Sequence, residues 1–163
     1  KILFMKKVLY LHGLESKQGG PKVKFLRTRC SVYAPSMDYR SNQLSENISK
    51  MEEFKPDLII GSSMGGYLAH IMSKHLRVPA ILFNPALHSR SFELKIDSST
   101  ISQGTGDIKQ ILLLGKKDNI IDPETTKKLL GNNHQYIIEE GEHAHRTPLD
   151  VFINFYLKYE YLL

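Results

Sequence analysis

The chain has 163 residues, one cysteine, 41% hydrophobic residues and a formal net charge of +5. That length suits one domain spanning residues 1–163, and no apolar run approaches the ~18 residues of a membrane helix, so a membrane span is excluded. Cys30 has no partner for an internal disulfide, which fits a reducing, cytoplasmic setting and a small buried hydrophobe; the basic excess lies in scattered pairs such as Lys6-Lys7, Lys116-Lys117 and Lys127-Lys128, without the fold signature or aromatic interleaving of a nucleic-acid binder.

Taken in chain order, Lys1-Ile2-Leu3-Phe4-Met5 is too short for a signal-peptide core. A strand at 8–11 then runs into His12-Gly13-Leu14. A second strand is predicted at 31–34, and Leu44, Ile48, Met51 and Phe54 mark one stripe of a helix. Asp57-Leu58-Ile59-Ile60-Gly61-Ser62-Ser63-Met64-Gly65 reads as a strand at 58–61 and a sharp turn, with a helix over 64–76 following. A strand at 80–83 ends in Asn84-Pro85-Ala86, whose plain reading is a strand-terminating turn. The segment 88–109 lacks periodicity and is long enough to overhang a site; Phe92, Leu94 and Ile96 alternate within it as a short strand or a flap. A strand at 111–114 leads to Gly115 and Asp118, and Asp122-Pro123 opens a helix with the aspartate as its cap. The last strand, 136–139, leads to Gly141-Glu142-His143, and Thr147-Pro148 opens a helix with the apolar stripe Val151, Phe152, Phe155 and Tyr159. Six apolar strands alternating with helical segments predict an α/β fold, with a mostly parallel sheet covered by helices on both faces.

The chemistry centres on Gly61-Ser62-Ser63-Met64-Gly65. A nucleophile elbow needs small residues two before and two after its serine, because the turn is tight enough for larger side chains to collide. Ser63 is therefore the candidate nucleophile. Of the two carboxylates near the end of the fifth strand, Asp122 is explained as a helix cap, which leaves Asp118 as the candidate acid. Among seven histidines, His143 follows the sixth strand by a short glycine loop and is preferred as the base; His145 is two residues further on and is the competing reading. His12 precedes the nucleophile strand and is read as structural. The order nucleophile, acid, histidine is that of α/β-hydrolases, in which the oxyanion hole comes from the backbone N–H after the nucleophile and one after the first strand, here Met64 and Leu14. No histidine pair has helical metal-ligand spacing with a matching carboxylate, so neither a metal nor a cofactor is expected.

Leu9-Tyr10-Leu11-His12-Gly13-Leu14, Gly61-Ser62-Ser63-Met64-Gly65-Gly66-Tyr67, Asn84-Pro85-Ala86, Asp118-Asn119-Ile120-Ile121-Asp122 and Glu140-Gly141-Glu142-His143-Ala144 together make the chain resemble the YqiA-type esterases, small members of the α/β-hydrolase superfamily. The resemblance spans nearly the whole chain. It departs at 87–109, which is shorter here, and at His145, where the family usually shows an aromatic residue. At 163 residues there is no length for the superfamily's usual first two strands or a cap domain, so a minimal α/β-hydrolase core with an open site is expected, and the resemblance places the acid at Asp118. The function expected is a serine carboxylic-ester hydrolase working through an acyl-enzyme on small, short-acyl esters, with no nucleic-acid or membrane partner. A thioesterase, with Lys116 and Lys117 drawing in phosphate, and a non-catalytic interaction module are the alternatives.

Overall fold

A computed structural model describes residues 5–14, 16–42, 44–104 and 107–163; most of the short N-terminal segment discussed above lies outside them. The elements run β1 (Lys7–Leu11), α1 (Pro21–Arg27), β2 (Ser31–Tyr33), α2 (Leu44–Phe54), β3 (Leu58–Ser62), α3 (Met64–Leu76), β4 (Ala80–Phe83), β5 (Gln110–Gly115), α4 (Pro123–Leu130), β6 (Tyr136–Gly141) and α5 (Leu149–Tyr159). All six strands pair in parallel, in the spatial order β2-β1-β3-β4-β5-β6. The order reverses between β1 and β3, and this switch point is where an open parallel sheet leaves a crevice at its carboxyl edge.

Strand alternation divides the core in two. Leu9, Leu11, Ile59, Leu82, Leu112 and Leu114 point to the face covered by α2 and α3, where they meet Ile48, Met51, Leu68 and Met72. Val8, Tyr10, Ile60, Ile81, Phe83, Ile111 and Leu113 point to the other face, where Val23 and Leu26 of α1 and Phe152, Phe155, Tyr156 and Tyr159 of α5 cover them. Successive side chains of a strand face opposite ways, so continuous apolar strands require helices on both sides. Cys30 is buried against the Tyr156 hydroxyl, 3.0 Å away.

Two elements differ from expectation. The sequence reading does not mark α1 as an element, yet Pro21 occupies its first turn, a position where the missing N–H costs nothing. Among the described residues of 88–109 there is no flap: Phe92, Leu94 and Ile96 are half-buried on the α2 and α3 face, and the Arg40 guanidinium lies 4.5 Å from the Phe92 ring. The three side chains serve as packing against the buried cluster on that face. No cap domain stands over the sheet among the described residues. No helix among them is long and apolar enough to cross a membrane.

Candidate active site

Ser63 sits between β3 and α3 with φ 55° and ψ −117°, a conformation that non-glycine residues adopt only when the surroundings impose it. The surroundings here are the flanking glycines. A Cβ on Gly61 would collide with the Gly65 carbonyl and lie 2.7 Å from the Ala69 methyl, and one on Gly65 would collide with the carbonyl oxygens of Leu11 and His12. The elbow is fastened to β4, since the Ser63 N–H donates to the Phe83 carbonyl at 3.0 Å and the Ser63 carbonyl accepts from the Ala86 N–H at 2.9 Å.

The histidine facing Ser63 is His145, which corrects the preference for His143. Ser63 Oγ lies 3.0 Å from His145 Nε2, and His145 Nδ1 lies 2.8 Å from Asp118 Oδ2. Asp118, 6% exposed, can only accept as a carboxylate, so the imidazole carries its proton on Nδ1 and presents a free Nε2 lone pair to the serine hydroxyl. The other Asp118 oxygen accepts from the N–H groups of Ile120 and Ile121, both at 2.9 Å, which fixes the carboxylate in the plane the imidazole requires.

The reason for the correction is reach. The loop leaving β6 must pass the ends of β5 and β4 to meet Ser63 on β3, and neighbouring strands are ~4.8 Å apart. β6 continues to Gly141, so His143 is only two residues past its end and folds back. Its ring covers the glycine edge of β5 and β6, where a Cβ on Gly115 would lie 3.0 Å from its Cδ2 and one on Gly141 2.7 Å from its Cε1. Neither ring nitrogen of His143 has a hydrogen-bond partner among the described residues. Its pKa is lowered, mainly by desolvation, with Asp118 opposing the shift and Lys22 adding to it. His145 gains the two further residues of chain that the crossing needs.

Asn84 holds the crossing in place, a role the sequence reading did not assign. It is 1% exposed and has φ 43°, in the left-handed region that asparagine tolerates better than most residues. Its Oδ1 accepts from the Gly115 N–H at 2.6 Å, while its Nδ2 donates to the His145 carbonyl at 2.7 Å and to Thr147 Oγ1 at 3.3 Å. One side chain thus joins the loop carrying Asp118 to the loop carrying His145. The sequence signal was an asparagine at the carboxyl end of the strand beside the elbow.

His12 is structural, as expected. Its Nε2 accepts from the Met37 N–H at 2.9 Å, which leaves the proton on Nδ1, and Nδ1 donates to the Gly13 carbonyl at 2.7 Å. Together with Tyr39, whose hydroxyl donates to the His12 carbonyl, it shapes the loop after β1. Leu14 of that loop lines the cleft beside Ser63. Met64 is the first residue of α3, so its N–H lacks an intrahelical acceptor. Asp122 caps α4, its Oδ2 accepting from the Thr125 N–H at 3.1 Å and the Thr125 hydroxyl at 2.6 Å. The hydroxyl is the main cause of its lowered pKa. No group of three potential metal ligands occurs among the described residues.

Ser63 and His145 open onto a cleft of about 1050 Å³ between the loop after β1, the start of α1 and the residues leading into α5. No described residue of 88–109 lines it. An open parallel sheet with a serine elbow at its switch point and a histidine and aspartate arriving from the next strands is the α/β-hydrolase fold. The same fold is found in a monoacylglycerol lipase from Paleococcus ferrophilus, 16% identical over 98% of this chain and 96% of that one with a TM-score of 0.65. An α/β superfamily hydrolase from Oenococcus oeni PSU-1 is likewise 16% identical, over 96% and 92% of the two chains, with a TM-score of 0.67. Residues 7–109 match the model of an uncharacterised protein family, UPF0227, and the chain belongs to that family. It is 24% identical to a UPF0227 protein of Shewanella sediminis (strain HAW-EB3), over 87% of this chain and 92% of that one.

Proposed function

We propose that this chain is a serine carboxylic-ester hydrolase. The observation that carries the reading is the unbroken hydrogen-bond chain from Ser63 through His145 to Asp118. As Ser63 Oγ bonds to the ester carbonyl carbon, its proton passes to His145 Nε2, and Asp118 stabilises the imidazolium that forms. His145 then returns the proton to the departing alkoxide as its bond to the carbonyl carbon breaks, leaving an acyl-enzyme; in the second half it takes a proton from the water that attacks the acyl carbon and gives it back to Ser63 Oγ as the acid leaves. The N–H groups of Met64 and Leu14 are the proposed donors to the oxyanion. No step requires a metal or cofactor.

The open cleft favours small esters with short acyl chains, since each methylene adds about 0.8 kcal/mol only while the site can bury it. The thioester alternative loses its supporting feature, because Lys116 Nζ is paired with Glu142 at 2.8 Å and neither Lys116 nor Lys117 is among the described residues lining the cleft. The geometry also disfavours a non-catalytic module, whose serine, histidine and aspartate would have no reason to stay in register. A fluorophosphonate probe tests the proposal: covalent labelling at Ser63, abolished in Ser63→Ala, is the expected result, and labelling elsewhere or none overturns it.

Asn84→Gly isolates the asparagine side chain, because glycine accepts a positive φ without strain. The variant is expected to lose about ten- to a hundredfold in kcat, the scale associated with small misplacements of a reacting group, with KM little changed. It should also lose about 2 kcal/mol of stability in urea unfolding, from the buried Gly115 N–H and His145 carbonyl left without partners. Asn84→Asp keeps the acceptor for Gly115 but not the donor to His145, and should recover the stability less than fully and the kcat hardly at all.

A further inference from the structure

The cleft at Ser63 is bounded by three cations, Lys17, Lys22 and Arg146, and by no aspartate or glutamate among its described lining residues. Elsewhere Arg29, Arg90, Lys116, Lys127 and Lys158 sit against carboxylates, while exposed lysines such as Lys24 and Lys95 stand in solvent without one among the described residues. The three at the cleft form no ion pair with any described residue. Lys22, half-buried in the first turn of α1, has its ammonium 5.5 Å from the centre of the Phe152 ring. Arg146 directly follows His145 in the chain. The two feel each other: the Lys22 pKa is lowered, first by burial and then by the Arg146 charge. Lys22 is half-buried and Arg146 exposed, and two like charges held side by side are unfavourable unless a counter-charge arrives. The rest of the described lining carries no fixed charge and includes Leu14, Ile120, Pro148 and Leu149, which offer surface to a few methylenes.

We infer that the substrates are esters carrying a fixed negative charge, a carboxylate or a phosphate, held by Lys22 and Arg146 with Lys17 at the rim. This rests on the esterase reading above and names its substrate class. The anion compensates the paired cations, fixes which end of the molecule enters, and leaves the scissile carbonyl at Ser63. The basic rim also draws such substrates from solution, raising their encounter rate at low ionic strength.

The test compares 4-nitrophenyl hemisuccinate, charged at the far end of its acyl group, with neutral 4-nitrophenyl butyrate. A second pair, a butyrate ester of a phenol bearing a phosphate and the same ester bearing a neutral methyl phosphate triester, moves the charge to the leaving side. The readout is the ratio of kcat/KM for charged over neutral substrate, each variant referred to the wild type so that intrinsic reactivity cancels. Lys22→Gln and Arg146→Gln are each expected to lower that ratio about tenfold for at least one pair, the scale of one lost charge-assisted hydrogen bond; the pair that responds identifies the anion and its position. Lys24→Gln, an exposed neighbour outside the cleft, should leave the ratio where it was. An unmoved ratio in both cleft variants for both pairs overturns the inference while esterase activity stands. Independently of turnover, monomethyl succinate and glycerol phosphate can be titrated calorimetrically into Ser63→Ala protein. There Lys22→Gln should weaken binding of one of them about tenfold, and equal affinity of both ligands in the two proteins counts against the anion site. Absent probe labelling and absent hydrolysis of every ester would overturn the esterase reading instead, and that titration would still decide the anion site.

Discussion

Replacing His145 with glutamine is expected to lower kcat for any ester substrate by about six orders of magnitude, the loss that follows when the base of such a triad is removed. Replacing His143 with phenylalanine is expected to leave most of the activity. His145 is the histidine within hydrogen-bond reach of both Ser63 Oγ and Asp118 Oδ2, and on the proposed mechanism no other described group is placed to take the serine proton. The His143 ring, with two buried nitrogens that lack partners among the described residues, acts as an apolar cover on Gly115 and Gly141. A phenyl ring of similar shape removes the unpaired polar atoms, and such exchanges are near neutral or stabilising. Measuring kcat and the urea midpoint of both variants decides the matter. A dead His143→Phe that folds normally, beside an active His145→Gln, would return the base to His143.

That exchange of histidines shows where the sequence was legible and where it was not. Continuous apolar strands, the two glycines around Ser63 and the cap at Asp122 are local signals, and each dictates its own geometry. Ser63 and Asp118 could be found because each sits within a few residues of a strand end whose position the apolar pattern marks. The histidine lies beyond the edge strand, and its identity depends on how many residues the chain spends in crossing β5 and β4. β6 extends two residues further than the 136–139 its sequence pattern marks, because Glu140 and Gly141 continue the pairing with Leu114 and Gly115, so the count from the strand end shifts by two. Asn84 reads as a turn because nothing local distinguishes a turn asparagine from one that reaches across 61 residues of sequence to the His145 carbonyl. The segment 88–109 misled for the converse reason. Its alternating Phe92, Leu94 and Ile96 do mark a buried edge, but alternation says nothing of which face is covered.

Asp118→Asn is expected to cost about four orders of magnitude in kcat, with little loss of fold. The asparagine carbonyl can keep both N–H donors, Ile120 and Ile121. Its amide then faces His145 Nδ1 as a donor, which drives the imidazole proton onto Nε2, so the ring meets Ser63 Oγ with a proton where it needs a lone pair. Asp122→Ala removes a cap instead. It is expected to lower the urea midpoint measurably while activity is retained, because α4 loses the acceptor for the Thr125 N–H. The Asp122 pKa is depressed, chiefly by the Thr125 hydroxyl. Its contribution to stability is therefore present above the ordinary carboxylate range and fades as pH falls through its folded value. The wild type and Asp122→Ala should accordingly differ in midpoint at neutral pH and converge in acid, whereas the kcat deficit of Asp118→Asn should persist at every pH at which the protein is folded. An inactive Asp122→Ala beside an active Asp118→Asn would move the acid from Asp118 to Asp122 and break the hydrogen-bond chain on which the esterase reading stands.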